Sequence, residues 1–373
     1  MKKKYLLNCE SFQIHEGNMW FVSGNFLCRR DIKTGDISLE TCIIPQYGVE
    51  GSYLSSLTGR YENRMICIPE KIDRIVDYDI KTKEKKIVFL DNIKFDDSIK
   101  FRSSFFINDK IYIMPQSVLQ IIIYDPKSGL VESLSEGIKD IFNDIKSDIG
   151  EKENLFSLSR QIDNKIYFST TFSNKLCCFD PQKGNVNFVN VGPDDYKYQL
   201  FYYLDGIFYL IDNTKQRIVR WSETDGIIGK MDGISFSVRL PEESETAYGF
   251  FDAFSFDKVI YFPACLAKES MMLDIQSGQI NICEALSNVY GCCFVGKNGK
   301  KEAILTSSID NKIYIVNDEL MINEIELELV ETVERVGDVC CFDISSSENL
   351  RACKCIWNED QEASLVGFIK YIC

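Results

Sequence analysis

The sequence has a single histidine, His15, among its 373 residues, and it has no glycine-rich phosphate loop. Histidine is the most frequent general base in enzymes, so its scarcity argues against ordinary acid–base catalysis. The pairs Gly296-Lys297 and Gly299-Lys300 lack the spacing of a P-loop and are expected to belong to a turn between two strands. The chain therefore offers few of the groups that an enzyme needs.

The sequence also lacks a long apolar run. No stretch approaches the roughly 20 apolar residues of a membrane-spanning helix. The start, MKKKYLLNCE, has the lysines of an export signal, but only Tyr5, Leu6 and Leu7 follow them, where a signal needs an apolar core of about 7–15 residues. We therefore expect no membrane association and a cytoplasmic location.

Basic residues are in deficit. The chain has 42 lysines and arginines against 56 acidic residues, and its formal net charge is -14. A surface of this charge repels the phosphate backbone of DNA or RNA. We expect no nucleic-acid partner.

Cysteine is abundant, but the pattern of a disulfide framework or zinc site is missing. The count of 15 is odd, and adjacent pairs such as Cys177-Cys178, Cys292-Cys293 and Cys340-Cys341 lie inside apolar runs. Neighbours on a strand point to opposite faces, so such a pair cannot serve one site. Cys353-Lys354-Cys355 with Cys373 could hint at a metal, but no second pair at zinc spacing accompanies it. We expect reduced cysteines, no metal and no cofactor.

What the sequence does contain is a repeated acidic turn. Its copies are RDIKTG at 30–35, YDIKTK at 78–83, YDPKSG at 124–129, FDPQKG at 179–184 and LDIQSG at 273–278, with degenerate copies near 221–226 and 317–318. Asp can accept hydrogen bonds from the backbone that follows it, Pro presets φ, and Gly accepts a positive φ. The repeat period is typical of a propeller blade, roughly 40–50 residues.

Runs rich in Val, Ile, Tyr and Phe surround each turn, two strands before it and one after it, with a further strand ahead of these. The pattern predicts an all-β fold, a β-propeller of four-stranded antiparallel blades with strands A to D. In this fold the acidic turn is the C–D hairpin. We expect a single propeller domain over residues 1–373, with an insertion at 135–154 that forms a short helix.

The number of blades depends on the ends of the chain. Seven A-to-D units cover 12–329, and the tail reads as three more strands at 339–344, 350–357 and 365–371. The run at 4–7 could supply a fourth strand, which would close the ring and remove two open edges. The sequence therefore predicts eight blades closed by the N-terminal strand, with seven blades plus a terminal hairpin as the alternative.

The acidic hexapeptide and runs such as Asp109-Lys110-Ile111-Tyr112 resemble the kelch-like, galactose-oxidase-type propellers over most of the chain. The paired glycines that kelch repeats carry in strand B are absent, and so are the Gly-His and Trp-Asp pairs of WD40 repeats. The resemblance implies the architecture and transfers no functional residue.

In a propeller the D–A connections and B–C loops gather on one face, which we call the loop-rich face. The candidate binding residues there are Tyr47, Phe95, Arg102, Phe172, Tyr196, Tyr198 and Tyr248. Aromatic rings and arginine are common contacts for a peptide or a sugar, although packing between blades is the alternative for each ring. An apolar stripe from Ile138 to Ile149 predicts that the short helix lies beside them. Such a stripe is expected to dock on the protein's own blades rather than on a partner.

Three functions follow from these observations. The first is a non-enzymatic scaffold that binds a protein, peptide or glycan on the loop-rich face. The second is a propeller enzyme that acts on a carbohydrate or small molecule with loop carboxylates and a divalent cation, using pairs such as Asp96-Asp97, Asp194-Asp195 and Glu242-Glu243. The third is a structural subunit. Carboxylates from three blades converging on one channel mouth would favour the enzyme.

Overall fold

A computed structural model gives the structure of the chain. It describes residues 4–7, 9, 11–23, 26–43, 57–68, 70, 73–90, 93, 100–141, 155–212, 215–232, 234, 249–297, 301–307 and 312–330. The predicted strands at 339–344, 350–357 and 365–371 lie outside the described residues, and so do residues 142–154 of the predicted insertion.

The described residues form seven antiparallel four-stranded sheets, each made of four consecutive strands. Blade 1 is β2 (Phe12–His15), β3 (Asn18–Ser23), β4 (Phe26–Asp31) and β5 (Ile37–Cys42); blade 2 is β6 (Leu57–Tyr61), β7 (Arg64–Ile68), β8 (Arg74–Asp79) and β9 (Lys85–Phe89). Blade 3 is β10 (Phe101–Ile107), β11 (Lys110–Pro115), β12 (Ile121–Tyr124) and β13 (Val131–Leu134); blade 4 is β14 (Arg160–Ile162), β15 (Lys165–Ser169), β16 (Lys175–Asp180) and β17 (Asn185–Asn190). Blade 5 is β18 (Leu200–Leu204), β19 (Ile207–Asp212), β20 (Arg217–Ser222) and β21 (Gly226–Asp232); blade 6 is β22 (Phe254–Phe256), β23 (Val259–Phe262), β24 (Met271–Asp274) and β25 (Ile280–Ile282). Blade 7 is β26 (Cys292–Lys297), β27 (Glu302–Ser307), β28 (Lys312–Asn317) and β29 (Ile322–Glu326). The all-β propeller prediction is confirmed.

The acidic turn is the C–D hairpin, as predicted. In blade 2, Oδ1 of Asp79 accepts hydrogen bonds from the amides of Lys81 at 2.8 Å and Thr82 at 3.0 Å. The same pair of bonds forms at Asp31, Asp125, Asp180 and Asp274. The turn ends at a residue with positive φ, and this position is glycine in four of these turns and Lys83, at φ 65°, in the fifth.

The ring closes after seven blades. The buried apolar residues of the described chain form seven clusters, and each cluster joins two neighbouring blades. One of them joins blade 7 to blade 1, where the rings of Phe12 and Phe294 meet edge to face with centroids 5.7 Å apart. Because the first and seventh blades pack directly on each other, no eighth blade fits between them. The prediction of eight blades is wrong, and the alternative of seven is confirmed.

The N-terminal strand has a different partner from the predicted one. Strand β1 (Lys4–Leu6) pairs antiparallel with β30 (Glu328–Val330) as a separate two-stranded sheet. The Leu7 amide continues this ladder by donating to the Leu327 carbonyl at 2.8 Å. Every blade takes its four strands from one continuous segment, so β1 closes no blade. It instead bridges the seam between blades 1 and 7.

The predicted helix is helical over the described residues 138–141. Ile138 and Ile141 are fully buried in the cluster between blades 3 and 4. This part of the apolar stripe packs on the protein's own blades, as the sequence interpretation favoured. No helix in the described part of the chain is long and apolar enough to span a membrane.

Adjacent cysteines point to opposite faces, as expected. Cys177 lies in the cluster between blades 3 and 4, whereas Cys178 packs against the cluster between blades 4 and 5. Burial raises the pKa of the Cys67 thiol to about 12, and it also raises the pKa of Cys177. Thiols in such surroundings stay protonated at neutral pH and pack as small apolar side chains.

Candidate functional site

The first strands of the blades surround a cavity of about 400 Å³ at the centre of the ring. Blades 1, 3, 4, 5, 6 and 7 contribute to its wall, either from strand A or from the residues just before it. The lining residues are Ser11, Gln13, Arg102, Ser103, Ser104, Phe105, Leu158, Ser159, Arg160, Gln161, Ile162, Tyr202, Tyr203, Asp252, Phe294 and Val295. This volume lies within the range of small-molecule sites, about 300–1,000 Å³.

The described lining residues of the cavity are buried near one end and more exposed near the other. Near the start of the strands, Arg102, Ser159 and Asp252 are buried. Near the end of the strands, Tyr203 is half-buried and Gln161 is exposed. The A–B hairpins and C–D turns lie at this end, which we call the hairpin face. Among the described lining residues, those at the hairpin face are therefore the more accessible to a ligand.

An ion pair between blades 4 and 6 forms one wall. Nη2 of Arg160 donates to Asp252, and Nε of Arg160 donates to the Phe201 carbonyl at 3.0 Å. The guanidinium lies over the Tyr202 ring, 4.8 Å from its centroid. Nη1 takes part in none of the hydrogen bonds formed among the described residues, and the side chain is 23% exposed. Arg160 can therefore donate through Nη1 to a ligand in the cavity.

Three hydrogen-bond donors hold the Asp252 carboxylate in place. Its carboxylate accepts the amides of Ala253 and Val295, each at 2.8 Å, in addition to Arg160. Burial raises the pKa of Asp252, and the guanidinium and the two amides oppose that rise. A carboxylate with its acceptor positions used in this way orients its neighbours and is poorly placed to transfer protons or bind a cation.

A second ion pair lies in the wall near the start of the strands, where the lining residues are buried. Arg102 is buried and its Nη1 lies 3.4 Å from Oε1 of the fully buried Glu70, which lies in the B–C loop of blade 2. The guanidinium carbon lies 5.5 Å from the centroid of the Phe251 ring, across the channel from blade 6. The charge of Arg102 is therefore neutralised within the wall.

Of the residues predicted to bind a ligand, Arg102 lines the cavity and three others pack between blades. Phe172 belongs to the cluster between blades 3 and 4, and Tyr196 and Tyr198 belong to the cluster between blades 4 and 5. Tyr47, Phe95 and Tyr248 lie outside the described residues. The structure therefore does not bring the described aromatic residues of this set to one binding surface.

Tyr196 and Tyr198 hold their loop in place. Their rings meet edge to face at 6.2 Å, and the Tyr198 hydroxyl donates to the Val191 carbonyl at 2.8 Å. The Tyr196 hydroxyl accepts a hydrogen bond from Arg217 at 2.8 Å, and the same guanidinium lies over its ring. These contacts favour the packing alternative for both residues. Their part in binding stays a prediction.

Sequence reasoning missed Arg160, Gln161 and Asp252. A usable signal was present, because Arg160 and Asp252, like Arg102, are charged residues at or just before the start of a strand A. That position faces the channel in a propeller.

The groups expected for the enzyme are not assembled in the described part of the chain. Asp252 is the one carboxylate among the described lining residues, and no three His, Cys, Asp or Glu side chains of the described residues lie close enough to hold a metal. His15 ends strand A of blade 1, where its Nδ1 lies 2.9 Å from Nη1 of Arg60. The histidine is thus engaged at the hairpin face.

No protein-family model and no characterised protein sequence matches the chain. Similar solved structures are propellers. Virginiamycin B lyase from Staphylococcus aureus is 10% identical with a TM-score of 0.53, and the match covers 88% of this chain and 99% of that one. A streptogramin B lyase is 12% identical with a TM-score of 0.51, over 75% of this chain and 84% of that one. PorZ, a surface component of the type-IX secretion system of Porphyromonas gingivalis, is 9% identical with a TM-score of 0.52, over 88% of this chain and 39% of that one. At these identities the likeness shows the fold alone: the chain is a seven-bladed β-propeller.

Proposed function

We propose that this protein is a non-enzymatic binding propeller that takes the end of a glycan into its central cavity from the hairpin face. The observation that carries this proposal is the chemistry of the wall. Both arginines are paired with buried carboxylates, so the cavity offers hydrogen-bonding groups with no net charge of its own. Such a wall suits a neutral ligand that carries many hydroxyl groups.

The neutral groups of the wall support a sugar among the three ligand classes expected from the sequence. Gln13 and Gln161 carry amides that both donate and accept, and Ser104 carries a hydroxyl that does the same. The half-buried rings of Phe105 and Tyr203 add apolar faces near the hairpin face. Planar amides, hydroxyls and aromatic faces together match the alternating polar edges and apolar faces of a sugar ring.

The proposed glycan site opens at the hairpin face, whereas the sequence suggested a binding site at the loop-rich face. At that end of the channel the guanidinium of Arg102 packs against Phe251, and both side chains are buried. Binding of a protein or peptide at the loop-rich face, and membership of the kelch-like group, stay predictions.

The enzyme alternative draws support from one fact, that lyases are among the similar solved structures. Their likeness concerns the fold, and propellers carry unrelated activities on one frame. In this chain the carboxylate of the cavity is already committed to Arg160 and two backbone amides. The binding function therefore fits the described groups better.

The test is a screen of the purified protein on an array of neutral glycans, followed by titration of the best ligand. Gln161→Ala removes an exposed amide from the cavity and should weaken binding about fivefold, the effect of one lost hydrogen bond. Gln276→Ala is the matched control, because Gln276 lies on an exposed C–D turn of blade 6 outside the cavity. Equal loss in both variants, or no binding of any glycan, would contradict the proposal.

A further inference from the structure

Strand β17 is the outer edge of blade 4, and it carries no charged residue. Among the described strands it pairs with β16 alone, and five of its six residues are exposed. Natural edge strands are usually protected from pairing with other chains by charged residues or by being very short. The D strands of the other blades follow this rule: β25 has three residues, and the remaining five carry Glu40, Lys85, Lys86, Glu132, Lys230, Glu324 and Glu326. Strand β17 is the exception.

The register of blade 4 shows which backbone groups of β17 point away from the blade. The Val191 amide donates to the Asn174 carbonyl at 2.8 Å, so these two residues form a hydrogen-bonded pair. Hydrogen-bonded and non-hydrogen-bonded pairs alternate along an antiparallel ladder. Phe188 and Asn190 are therefore non-hydrogen-bonded towards β16, and their amides and carbonyls point outwards.

One end of this edge is covered by the chain itself. Val186 also turns its backbone outwards, but a Cβ atom at Gly137 would lie 2.9 Å from the Val186 carbonyl oxygen. The segment that joins blades 3 and 4 thus occupies the edge at Val186. Within the described part of the chain, the open edge runs from Phe188 to Asn190. Its two amides and two carbonyls, at strand spacing, match the backbone of an extended polypeptide.

A cavity of about 290 Å³ lies beside the open edge, on the side of blade 5. Asn187 and Val189 of β17 point to that side, because they pair with Cys178 and Leu176, which pack in the cluster between blades 4 and 5. The Trp221 ring of blade 5 forms the opposite wall. Side chains alternate between the two faces of a strand. Every second residue of a strand added to β17 would therefore point towards this cavity.

The lining of the cavity favours an uncharged, apolar side chain. Its charged residues are Lys165 and Glu223, which have opposite signs, and Glu223 accepts a hydrogen bond from the Tyr167 hydroxyl at 2.6 Å. The rest of the wall next to the edge is apolar, with Val189 and Trp221 on its two sides. A charged side chain placed there would lose its hydration without gaining a net charge to pair with.

The other face of the edge carries an exposed ring. Phe188 pairs with Cys177, which lies in the cluster between blades 3 and 4, so its ring is on the side of blade 3. The ring is 39% exposed, and Nζ of Lys175 lies 4.1 Å from its centroid. A residue of an added strand that faces Phe188 would cover the exposed part of this ring.

We propose that blade 4 binds an extended polypeptide, which adds as a fifth strand to the open edge of β17 and places an apolar side chain in the cavity between blades 4 and 5. The partner is a segment of another protein with apolar residues at alternate positions and no charge in the paired part. This site lies at the rim of the propeller and is independent of the glycan site at its centre.

The first test uses peptides. A phage-displayed library of linear 12-residue peptides is selected on the full-length protein, and the consensus peptide is synthesised and titrated. We expect apolar residues at alternate positions of the consensus. Backbone pairing with an edge uses every second residue of the added strand. N-methylation of one alternate set of amides should therefore weaken binding about tenfold, and N-methylation of the other set should leave it unchanged.

The second test changes the edge. Phe188→Pro removes an amide that points outwards and leaves the pairing with β16 intact, so it should weaken the peptide about tenfold. Phe89→Pro is the matched control and should have no effect. Phe89 is also an exposed ring on a strand D, with Arg74 over it at 4.8 Å, but its strand is the lysine-bearing edge of blade 2. Its backbone also points outwards, because the amide of the next residue, Leu90, donates to the Asp73 carbonyl.

A third variant keeps the site testable if a proline disturbs the fold. Asn187→Lys places a charge at an exposed position beside the cavity without changing the backbone, and it should weaken binding as well. A library without an enriched peptide, equal effects of the two proline variants, or equal effects of the two N-methylated sets would overturn the proposal. A dimer in sedimentation experiments that Phe188→Pro abolishes would show that a second copy of this chain occupies the edge, which would overturn the assignment to a different protein.

Discussion

At the scale of single residues, the aspartate of the C–D turn has the clearest local role. Five such residues each accept two amides of the turn that follows. At Asp31, Asp79, Asp125 and Asp274 these bonds help to lower the pKa of the carboxyl group. The amide of Thr82 is the main reason why the pKa of Asp79 lies below its ordinary value. The stabilisation that this turn provides is therefore expected to depend on pH.

The lowered pKa of Asp79 predicts how stability depends on pH. Because the folded pKa of Asp79 is lowered, its contribution is complete above the ordinary carboxyl pKa and is lost as the pH falls through the folded value. Asp79→Ala should lower the free energy of unfolding by about 1 kcal/mol at neutral pH and by less in acid. Thermal melts from pH 7 to pH 3 measure this difference. Asp79→Asn keeps the Oδ1 acceptor and serves as the control, and a pH-independent difference for Asp79→Ala would contradict the account.

Single residues also show why the turns could be predicted from the sequence and the cavity could not. An Asx turn depends on residues within four positions of one another, so the hexapeptides identified it directly. The Arg160–Asp252 pair joins residues 92 positions apart. Nothing in the local sequence around either residue indicates that partner.

At the scale of elements, the seam between the first and last blades depends on the N-terminal segment. Strand β1 pairs with β30, and Leu7 and Cys9 are buried in the cluster that joins blades 1 and 7. The sequence indicated a strand at 4–7 from its apolar run and its lack of another assignment. Its partner could not be predicted, because pairing is decided by which blades meet when the ring closes.

Deleting residues 1–9 should therefore destabilise the protein although every blade keeps its four strands. Loss of the Leu7 and Cys9 burial and of the β1 ladder should cost about 4 kcal/mol. Chemical denaturation followed by tryptophan fluorescence measures the effect. Deletion of residues 1–3, which keeps β1, Leu7 and Cys9, is the control. If the longer deletion unfolds like the parent, the seam does not depend on this segment.

At the scale of the whole molecule, ring closure imposes a tight contact on strand A of blade 7. A Cβ atom at Gly296 would overlap the Phe12 ring of blade 1. Phe12 is buried in the seam cluster and has little room to move. Glycine at this position thus allows the two blades to approach each other.

Gly296→Ala should force the seam apart and lower the free energy of unfolding by about 2 kcal/mol, as for overpacking of a core. Gly59→Ala is the control, because Gly59 also lies on a strand A but its Cβ would meet neighbours at ordinary distances of 3.5 Å or more. Thermal denaturation of both variants checks the expectation. A Gly296→Ala protein as stable as Gly59→Ala would contradict the close seam.

The amino-acid sequence by itself determined the strands, the turns and the blade, since runs rich in Val, Ile, Tyr and Phe and Asp-to-Gly turns act over a few residues. Ring closure and the site were decided only by tertiary structure. Seven blades rather than eight follow from the packing of blade 7 on blade 1, and the cavity follows from bringing together residues from six blades. Both depend on contacts between residues far apart in the chain, which a local pattern does not encode.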